Sequence, residues 1–277
     1  MKRTFGVIGG DRRQAELARL LEADGHTVYT YGLNRWKSGG EKRLEQAIAA
    51  EIILLPLPLC KGEGVLNCDE TPMPTIDLFR RLRPEQRILA GQVKTQQAHE
   101  AAVCGLQLVD YFLREELTVA NAAATAEAAI QVAMERLDRT ILGTNCLILG
   151  FGRIGKLLSY RLHGLGARVT ATARKPEDLA WIQAYGWDAL ESDSLDGKLS
   201  SFDIVFNTVP SVLLNVELLK QLPKGCLCVD LASMQGIDLS IAEDLGMMAV
   251  WARSLPGRLV PYTAASAIRD AIYYILS

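Results

Sequence analysis

The sequence has little of what marks membrane, secreted or nucleic-acid-binding proteins. No run approaches the ~20 uncharged apolar residues that a membrane helix needs, and the first residues become charged too soon for a signal peptide. Lys and Arg number 30 against 32 Asp and Glu, so there is no basic excess to attract nucleic acid. We therefore expect a soluble, cytoplasmic protein whose partners include neither nucleic acid nor a membrane.

Histidine is also scarce, and the cysteines are not arranged as metal ligands. His26, His99 and His163 lie far apart, with no cysteine or carboxylate at ligand spacing. The six cysteines include no C-x-x-C pair. We expect reduced thiols and no metal site.

What the sequence does contain is a strand, a glycine-rich turn, a helix and a second strand between Thr140 and Arg174. A β-rich apolar run at Asn145 to Leu149 is followed at once by GFGRIG and then by apolar positions at helix spacing. This order is the context that the dinucleotide fingerprint G-x-G-x-x-G requires. Glycines that merely form a turn are the alternative. The predicted cofactor contacts here are Gly150, Gly152, Arg153, Ile154 and Gly155.

The end of the second strand favours NADP over NAD. NAD sites usually have a carboxylate there, whereas an arginine accommodates a 2′-phosphate. This strand ends in Arg174 and Lys175, and the first carboxylate is Glu177. A solvated pair of surface cations is the alternative, and NAD stays possible as the cofactor.

Strands and helices alternate along the whole chain, which predicts parallel sheets covered on both faces. We expect an α/β fold with two Rossmann-like, doubly wound parallel-sheet domains joined by a long connector helix. The predicted divisions are an N-terminal substrate and partner domain at 1–117, the connector at 118–140, an NAD(P)-binding domain at 141–262, and a C-terminal helix at 263–277. We expect that last helix to pack back on the N-terminal half.

Two predicted strand ends in the second domain carry polar residues. Ligands of open α/β sheets bind beyond the carboxyl ends of the strands, at the switch point. These ends are therefore expected to flank the nicotinamide and its ribose, and strand-end turns without ligand contact are the alternative. The residues concerned are Asn207, Thr208, Val209 and Pro210 at one end, and Asp230, Ala232 and Ser233 at the other.

The connector helix has polar residues near its start. Asn121, Thr125 and Glu127 are expected to point toward the hinge between the domains. Helix capping is the alternative for Asn121, and a solvated face is the alternative for Glu127.

Several motifs, in order and spacing, give the chain a resemblance to the family of the dehydrogenase-like A subunit of dipicolinate synthase, over nearly its whole length. They are IGGDRRQ near the N-terminus, LP followed by GEG at Gly62 to Gly64, NAAATAE in the connector, LGFGRIGKLL, AR at Ala173 and Arg174, NTVPS at Asn207 to Ser211, DLAS at Asp230 to Ser233, and LPGRLVPYTA. The sequence departs from the family pattern at Ala124, at Met234 and Gln235, and at Tyr262.

The resemblance implies a reaction and partners. The reaction is an NAD(P)-linked oxidation of the product of dihydrodipicolinate synthase, a hydroxytetrahydrodipicolinate or its dehydrated form, to dipicolinate during sporulation. The expected partners are the small dicarboxylate substrate, the flavoprotein-like B subunit of dipicolinate synthase and further copies of the chain.

Such an oxidation needs a proton acceptor and cations for two carboxylates. Glu127, or a water held by Asn121 and Thr125, is the expected acceptor, and Ser233 is expected to act beside the nicotinamide. Five cations are candidates for the carboxylates, namely Arg13, Lys94, Arg114, Arg253 and Arg258.

Two other functions fit the same sequence. One is another NADP-linked dehydrogenase of an amino or imino acid, related to alanine dehydrogenase. The other is a non-catalytic protein that senses a dinucleotide or serves as a scaffold, with the chemistry done elsewhere.

Overall fold

The computed structural model describes residues 2–36, 44–62, 64–68 and 72–277. The chain forms two compact units, which we call unit 1 (Met1–Asn121 with Pro256–Ser277) and unit 2 (Ala122–Leu255). The sequence pattern also predicts a short helix at Glu41–Ala50, and residues 41–43 of it, like Glu63 of the GEG motif, lie outside the described residues.

Strands and helices alternate in both units. The strands are β1 (Thr4–Ile8), β2 (Thr27–Tyr31), β3 (Ile52–Leu54), β4 (Arg87–Ala90), β5 (Leu108–Asp110), β6 (Asn145–Leu149), β7 (Arg168–Ala173), β8 (Asp188–Glu191), β9 (Ile204–Asn207), β10 (Leu227–Asp230) and β11 (Met248–Trp251). The helices are α1 (Arg12–Ala23), α2 (Leu44–Ala49), α3 (Thr75–Phe79), α4 (Thr95–Val103), α5 (Glu115–Met134), α6 (Arg153–Gly164), α7 (Pro176–Ala184), α8 (Val216–Leu219), α9 (Leu239–Asp244), α10 (Leu255–Leu259) and α11 (Pro261–Leu276).

Unit 1 is built on a parallel sheet in the order β2-β1-β3-β4-β5. The last helix, α11, belongs to this unit and packs against α1. Its apolar face enters the same core as the inner face of α1, through the buried side chains of Ala265, Ile268, Ala271 and Ile272. The predicted return of the C-terminal helix to the N-terminal half is confirmed.

Unit 2 has a parallel sheet in the order β11-β10-β9-β6-β7-β8. The chain starts in the middle at β6, runs outward through β7 and β8, and then returns to the other side of β6 for β9, β10 and β11. This is the order of a doubly wound dinucleotide fold, and its switch point lies between β6 and β9. The predicted fold class is confirmed.

The structure differs from the prediction mainly in short elements, whose sequences show no clear apolar period. The short edge strand β8 was not predicted, because Asp188-Ala-Leu-Glu191 has only two apolar residues, which lie between two charged ones. Helix α10 was not predicted either, because its five residues include a proline and a glycine, which are both unfavourable in helices. The apolar run Ile52–Leu57 predicts one buried strand, but β3 ends at Leu54, before Pro56, which has no N–H to donate to a ladder.

In the described part of the chain, no helix is both long and apolar enough to cross a bilayer. All six cysteines carry unpaired thiols.

Candidate functional site

Gly150 begins the turn after β6 in a conformation that disfavours other residues. Its φ is +96°, a left-handed value that glycine adopts readily. A Cβ at this position would lie 2.6 Å from Val209 Cγ2 and 2.7 Å from Thr208 Oγ1. The turn is held from the other side by Thr172, whose hydroxyl accepts a 3.0 Å hydrogen bond from the Gly150 N–H. The turn therefore lies in contact with the loop after β9, at the switch point.

Gly155 allows α6 to pack against this turn. A Cβ on Gly155 would lie 2.1 Å from the carbonyl oxygen of Gly150. This is well inside contact distance, so a larger residue would push the helix away from the strand.

Gly152 is different, because a Cβ there would meet nothing within 4 Å. Gly152 is the N-cap of the 12-residue helix α6, and no side chain caps this end. The first turn contains no acidic residue. Helix N-termini carry unpaired N–H groups and partial positive charge, which suit a phosphate. The open space beside Gly152 thus fits a pyrophosphate, as the fingerprint requires.

Gly150 and Gly152 border a cavity of about 440 Å³. A volume of this order is typical of sites for small molecules and cofactors. The cavity brings together seven residues predicted to bind a cofactor: Gly150, Gly152, Arg174, Lys175, Thr208, Val209 and Pro210. Three further lining residues lie outside the motifs named above: Asp178, Ser192 and Leu213.

The cations of the cavity differ in their surroundings. Lys175 lies 4.0 Å from Glu177, and both side chains are exposed. Asp178 pairs with Lys156 at 3.5 Å. Arg174 is exposed and makes no ion pair with any described residue, so its charge is available to a ligand.

Asn207 and Asp230 are fully buried, and their side chains bond to each other at 3.0 Å. Asp230 also accepts hydrogen bonds from the N–H groups of Ala232, Gly236 and Ile237. Asn207 likewise holds the loop after β9, since its side chain accepts from the Val209 N–H and donates to the Val209 carbonyl. These two side chains are not among the residues that line the cavity. They fix the loops that follow β9 and β10.

The loop after β10 carries the predicted Ala232 and Ser233. Ala232 is buried, whereas Ser233 is exposed. The carbonyl of Ala232 accepts a 2.9 Å hydrogen bond from the indole N–H of Trp251, at the end of β11. Neither residue lines the cavity itself.

Three polar residues of α5 were expected to point toward the hinge, and helix geometry places them on two different faces. Asn121 and Thr125 lie one turn apart on the same face, whereas Glu127 is turned about 200° from Thr125. Thr125 is buried, and Glu127 is 65% exposed and pairs with Arg161 at 3.0 Å. Asn121 and Thr125 thus share one face of α5, whereas Glu127 lies on another face and pairs with Arg161.

The five cationic side chains that are candidates for binding the substrate carboxylates differ in exposure and in their partners. Arg13 is 6% exposed and pairs with Asp11 at 2.8 Å. Arg114 pairs with Glu116. Lys94 and Arg258 are exposed, and the guanidinium of Arg253 lies 4.4 Å from the ring centre of Trp251.

Two protein families match successive parts of the chain. Residues 4–112 match the N-terminal domain family of the A subunit of dipicolinate synthase, and residues 115–238 match the family "D-isomer specific 2-hydroxyacid dehydrogenase, NAD binding domain". The second match contains the glycine-rich turn, the cavity and the Asn207–Asp230 pair.

Two relatives, one of them compared both by sequence and by structure, resemble the chain over nearly its full length. The A subunit of dipicolinate synthase from Bacillus subtilis is 31% identical over 99% of this chain and 95% of that protein. The crystal structure of the A subunit from Bacillus halodurans has a TM-score of 0.88 at 26% identity and covers 99% of this chain and 98% of that one. The crystal structure of the Bacillus subtilis protein has a TM-score of 0.85 at 30% identity and covers 100% and 96%. The protein therefore belongs to the family of dipicolinate synthase A subunits and is an oxidoreductase with a nicotinamide-dinucleotide-binding domain.

Proposed function

We propose that this chain oxidises the cyclic product of dihydrodipicolinate synthase to dipicolinate, with NADP as the electron acceptor. The observation that carries the proposal is the likeness to the A subunit of dipicolinate synthase along 99% of the chain. The glycine-lined cavity at the switch point of unit 2 supports the same reading, because its open helix end suits a pyrophosphate.

When bound, the nicotinamide would supply the hydride acceptor. Gly150, Gly152 and the first turn of α6 would hold the pyrophosphate. The loops after β9 and β10, shaped by Asn207 and Asp230, would position the nicotinamide side. Thr208, Val209 and Pro210 line the cavity on that side.

The charges around the cavity favour NADP. Arg174 follows the last residue of β7, at the position where NAD sites usually have a carboxylate. Asp178 lines the same cavity and would repel a 2′-phosphate, but its charge is offset by Lys156. Because Glu177 lies 4.0 Å from Lys175, the net positive charge of the site comes from Arg174.

The proton released in the oxidation requires an acceptor. We assign this role to a water held by Asn121 and Thr125, which share one face of α5. The Arg161 contact makes Glu127 a structural residue instead. Replacing Glu127 by Gln is then expected to leave turnover unchanged, and a large loss would restore Glu127 as the base.

Membership of a family named for one subunit of a synthase also implies a partner chain. We propose that this partner is the flavoprotein-like B subunit of the synthase, and that the chain also associates with further copies of itself.

The decisive experiment mixes the purified chain with NADP and freshly made product of dihydrodipicolinate synthase, with and without the flavoprotein-like partner. NADPH absorbance and dipicolinate are both followed. Formation of the two together in equal amounts is the expected result. Dipicolinate without NADPH, or NADP binding without any product, would instead favour a dinucleotide-sensing role.

A further inference from the structure

We infer that Arg253 binds one carboxylate of the substrate, which makes it a specificity-determining residue for a ring that carries two carboxylates. This inference rests on the proposed function. It concerns a residue outside the cavity, and it follows from the register of the sheet of unit 2.

The last residues of four neighbouring strands lie in one row. Leu149 pairs with Asn207, Asn207 with Asp230, and Asp230 with Trp251. All four strands are parallel, so the chain leaves each of them in the same direction. Residues two positions further on, among them Val209, Ala232 and Arg253, therefore follow neighbouring strand ends at one edge of the sheet.

The spacing of the strands gives the distance between Arg253 and the expected position of the pyrophosphate. Neighbouring strands lie about 4.8 Å apart. The backbone of Arg253 is therefore about 5 Å from the loop after β10, one strand away, and about 14 Å from the glycine turn after β6, three strands away. The pyrophosphate belongs at β6. Arg253 is thus too far away for the phosphates and lies beside the loop expected to flank the reacting ring.

Trp251 holds the guanidinium at this edge. Its indole N–H donates to the Ala232 carbonyl at 2.9 Å, which fixes the ring against the loop after β10. The Arg253 guanidinium lies over this ring at 4.4 Å from its centre. A cation over an aromatic face keeps its N–H edge directed outward and can still bind an anion.

Arg253 is exposed. Its guanidinium forms no ion pair with any acidic side chain among the described residues. Other arginines of unit 2 are engaged differently: Arg161 pairs with Glu127, Arg139 with Asp203, and Arg174 lines the cofactor cavity. Arg253 is therefore a guanidinium that is positioned by an aromatic ring and not neutralised. A planar guanidinium forms two parallel hydrogen bonds to a carboxylate, which a lysine cannot reproduce.

The test measures binding of two stable probes, pyridine-2,6-dicarboxylate and pyridine-2-carboxylate, to the full chain in the presence of saturating NADPH. The wild type is expected to prefer the dicarboxylate. Arg253→Gln is expected to weaken dicarboxylate binding by about tenfold to a hundredfold and to remove most of that preference. Arg253→Lys is expected to restore only part of it, and the affinity for NADPH should stay within about twofold.

Arg168→Gln is the matched control, since Arg168 is an exposed arginine at the opposite end of β7. Equal dicarboxylate binding by the wild type and Arg253→Gln would overturn the inference. A parallel loss of NADPH binding in Arg253→Gln would also overturn it, because it would indicate a purely structural role. If the wild type neither binds the dicarboxylate nor forms NADPH from the substrate, the proposed function fails first and the inference fails with it.

Discussion

Asp230 is the single residue on which the shape of the site depends most. Its carboxylate is fully buried and accepts four hydrogen bonds, from the Asn207 side chain and from three backbone N–H groups between 2.6 and 3.0 Å. Hydrogen bonds to a charged group contribute about 1.5–3 kcal/mol each, and a buried donor that loses its partner is costly.

Replacing Asp230 by Asn is therefore expected to lower the free energy of unfolding by about 2–4 kcal/mol. One oxygen acceptor becomes an NH₂ group that faces backbone N–H groups, so the loop after β10 must rearrange. Urea denaturation measures the loss. Asp193→Asn is the control because Asp193 is exposed, and an equally small change in both variants would contradict this account.

Two glycines of the fingerprint are expected to behave differently when they become alanine. Gly152→Ala places a methyl group in open space and should lower the free energy of unfolding by only about 0.5–1 kcal/mol, because alanine is a poorer N-cap than glycine. Gly155→Ala places its methyl group 2.1 Å from the Gly150 carbonyl and should destabilise unit 2 by about 1–3 kcal/mol. Both variants should bind NADPH more weakly, as titration calorimetry would measure. A normal affinity in Gly152→Ala would mean that the pyrophosphate does not lie there.

The cofactor preference depends on Arg174. Arg174→Gln is expected to raise the Kd for NADP by about tenfold to a hundredfold and to change the Kd for NAD much less, since only NADP carries the 2′-phosphate. Arg168→Gln on the same strand serves as the control. An equal increase in the Kd for NADP and for NAD would show that Arg174 does not bind the 2′-phosphate.

Residues differ in how well the sequence predicts their part in the site. Gly150, Gly152 and Arg174 are predictable because their role depends on a continuous strand, turn and helix. Trp251 and Thr172 are not, because they meet the site through strand register, which a single sequence does not fix. The surroundings of Glu127 were not predictable for a related reason. Its spacing from Thr125 places it on the opposite face of α5, and its partner Arg161 lies 34 residues away.

At the scale of elements, helix α11 is held to the N-terminal part of unit 1 by polar contacts as well as by its apolar face. The Tyr273 hydroxyl donates to Asp24 at 2.7 Å, and Arg269 lies 3.5 Å from the same carboxylate. His26 packs edge-on against both Phe5 and Tyr273, and its Nδ1 accepts from the Arg3 N–H at 3.2 Å. The α1–β2 turn is thus the anchor of the last helix.

This anchor is expected to weaken in acid. Burial lowers the pKa of His26 below 6.5, although Asp24 partly opposes the shift. The contribution of His26 is complete above pH 6.5. It is lost as the pH falls from there toward the folded-state pKa, because the unfolded chain binds the proton more readily. His26→Gln keeps an acceptor for the Arg3 N–H and should therefore lose less stability than the wild type between about pH 7 and about pH 5. His99→Gln, on the exposed side of α4, should follow the wild type, and a wild-type slope in His26→Gln would contradict the assignment.

Elements are predicted well where the period of apolar residues is strong, as in β6, α6 and the buried face of α11. Short edge elements such as β8 and α10 are not, because their few apolar contacts leave no clear period. The ends of helices are also hard to predict from the apolar period alone. Helix α6, for example, begins at Arg153, directly after the glycine turn, because Gly152 supplies its N-cap.

At the scale of the whole molecule, the sequence predicts alternation and therefore parallel sheets, but not the strand order. The order depends on which strands pair across long separations, and periodicity carries no information on that. The domain limits expected at residues 117, 140 and 262 likewise remain predictions. In the structure, unit 1 is completed by the last part of the chain, whereas unit 2 is one continuous segment.

This organisation predicts that the two units unfold separately and respond to different perturbations. NADPH at about 100 times its Kd should raise the free energy of unfolding of unit 2 by about 2.7 kcal/mol and leave that of unit 1 unchanged. Ile272→Ala removes a fully buried side chain from the core that α11 shares with α1. It should lower the stability of unit 1 by about 2–5 kcal/mol without changing the affinity for NADPH.

The tryptophans allow the two transitions to be followed separately. Trp36 lies in unit 1, and the other three lie in unit 2 at positions 181, 187 and 251. In a Trp36→Phe background, fluorescence during urea denaturation reports on unit 2 alone, while circular dichroism reports on both units. Leu147→Ala, in the core of unit 2, is the reciprocal variant and should shift only the fluorescence transition. If NADPH and Ile272→Ala instead shifted one common transition seen by both probes, the units would form a single cooperative body, because neither core could then unfold without the other.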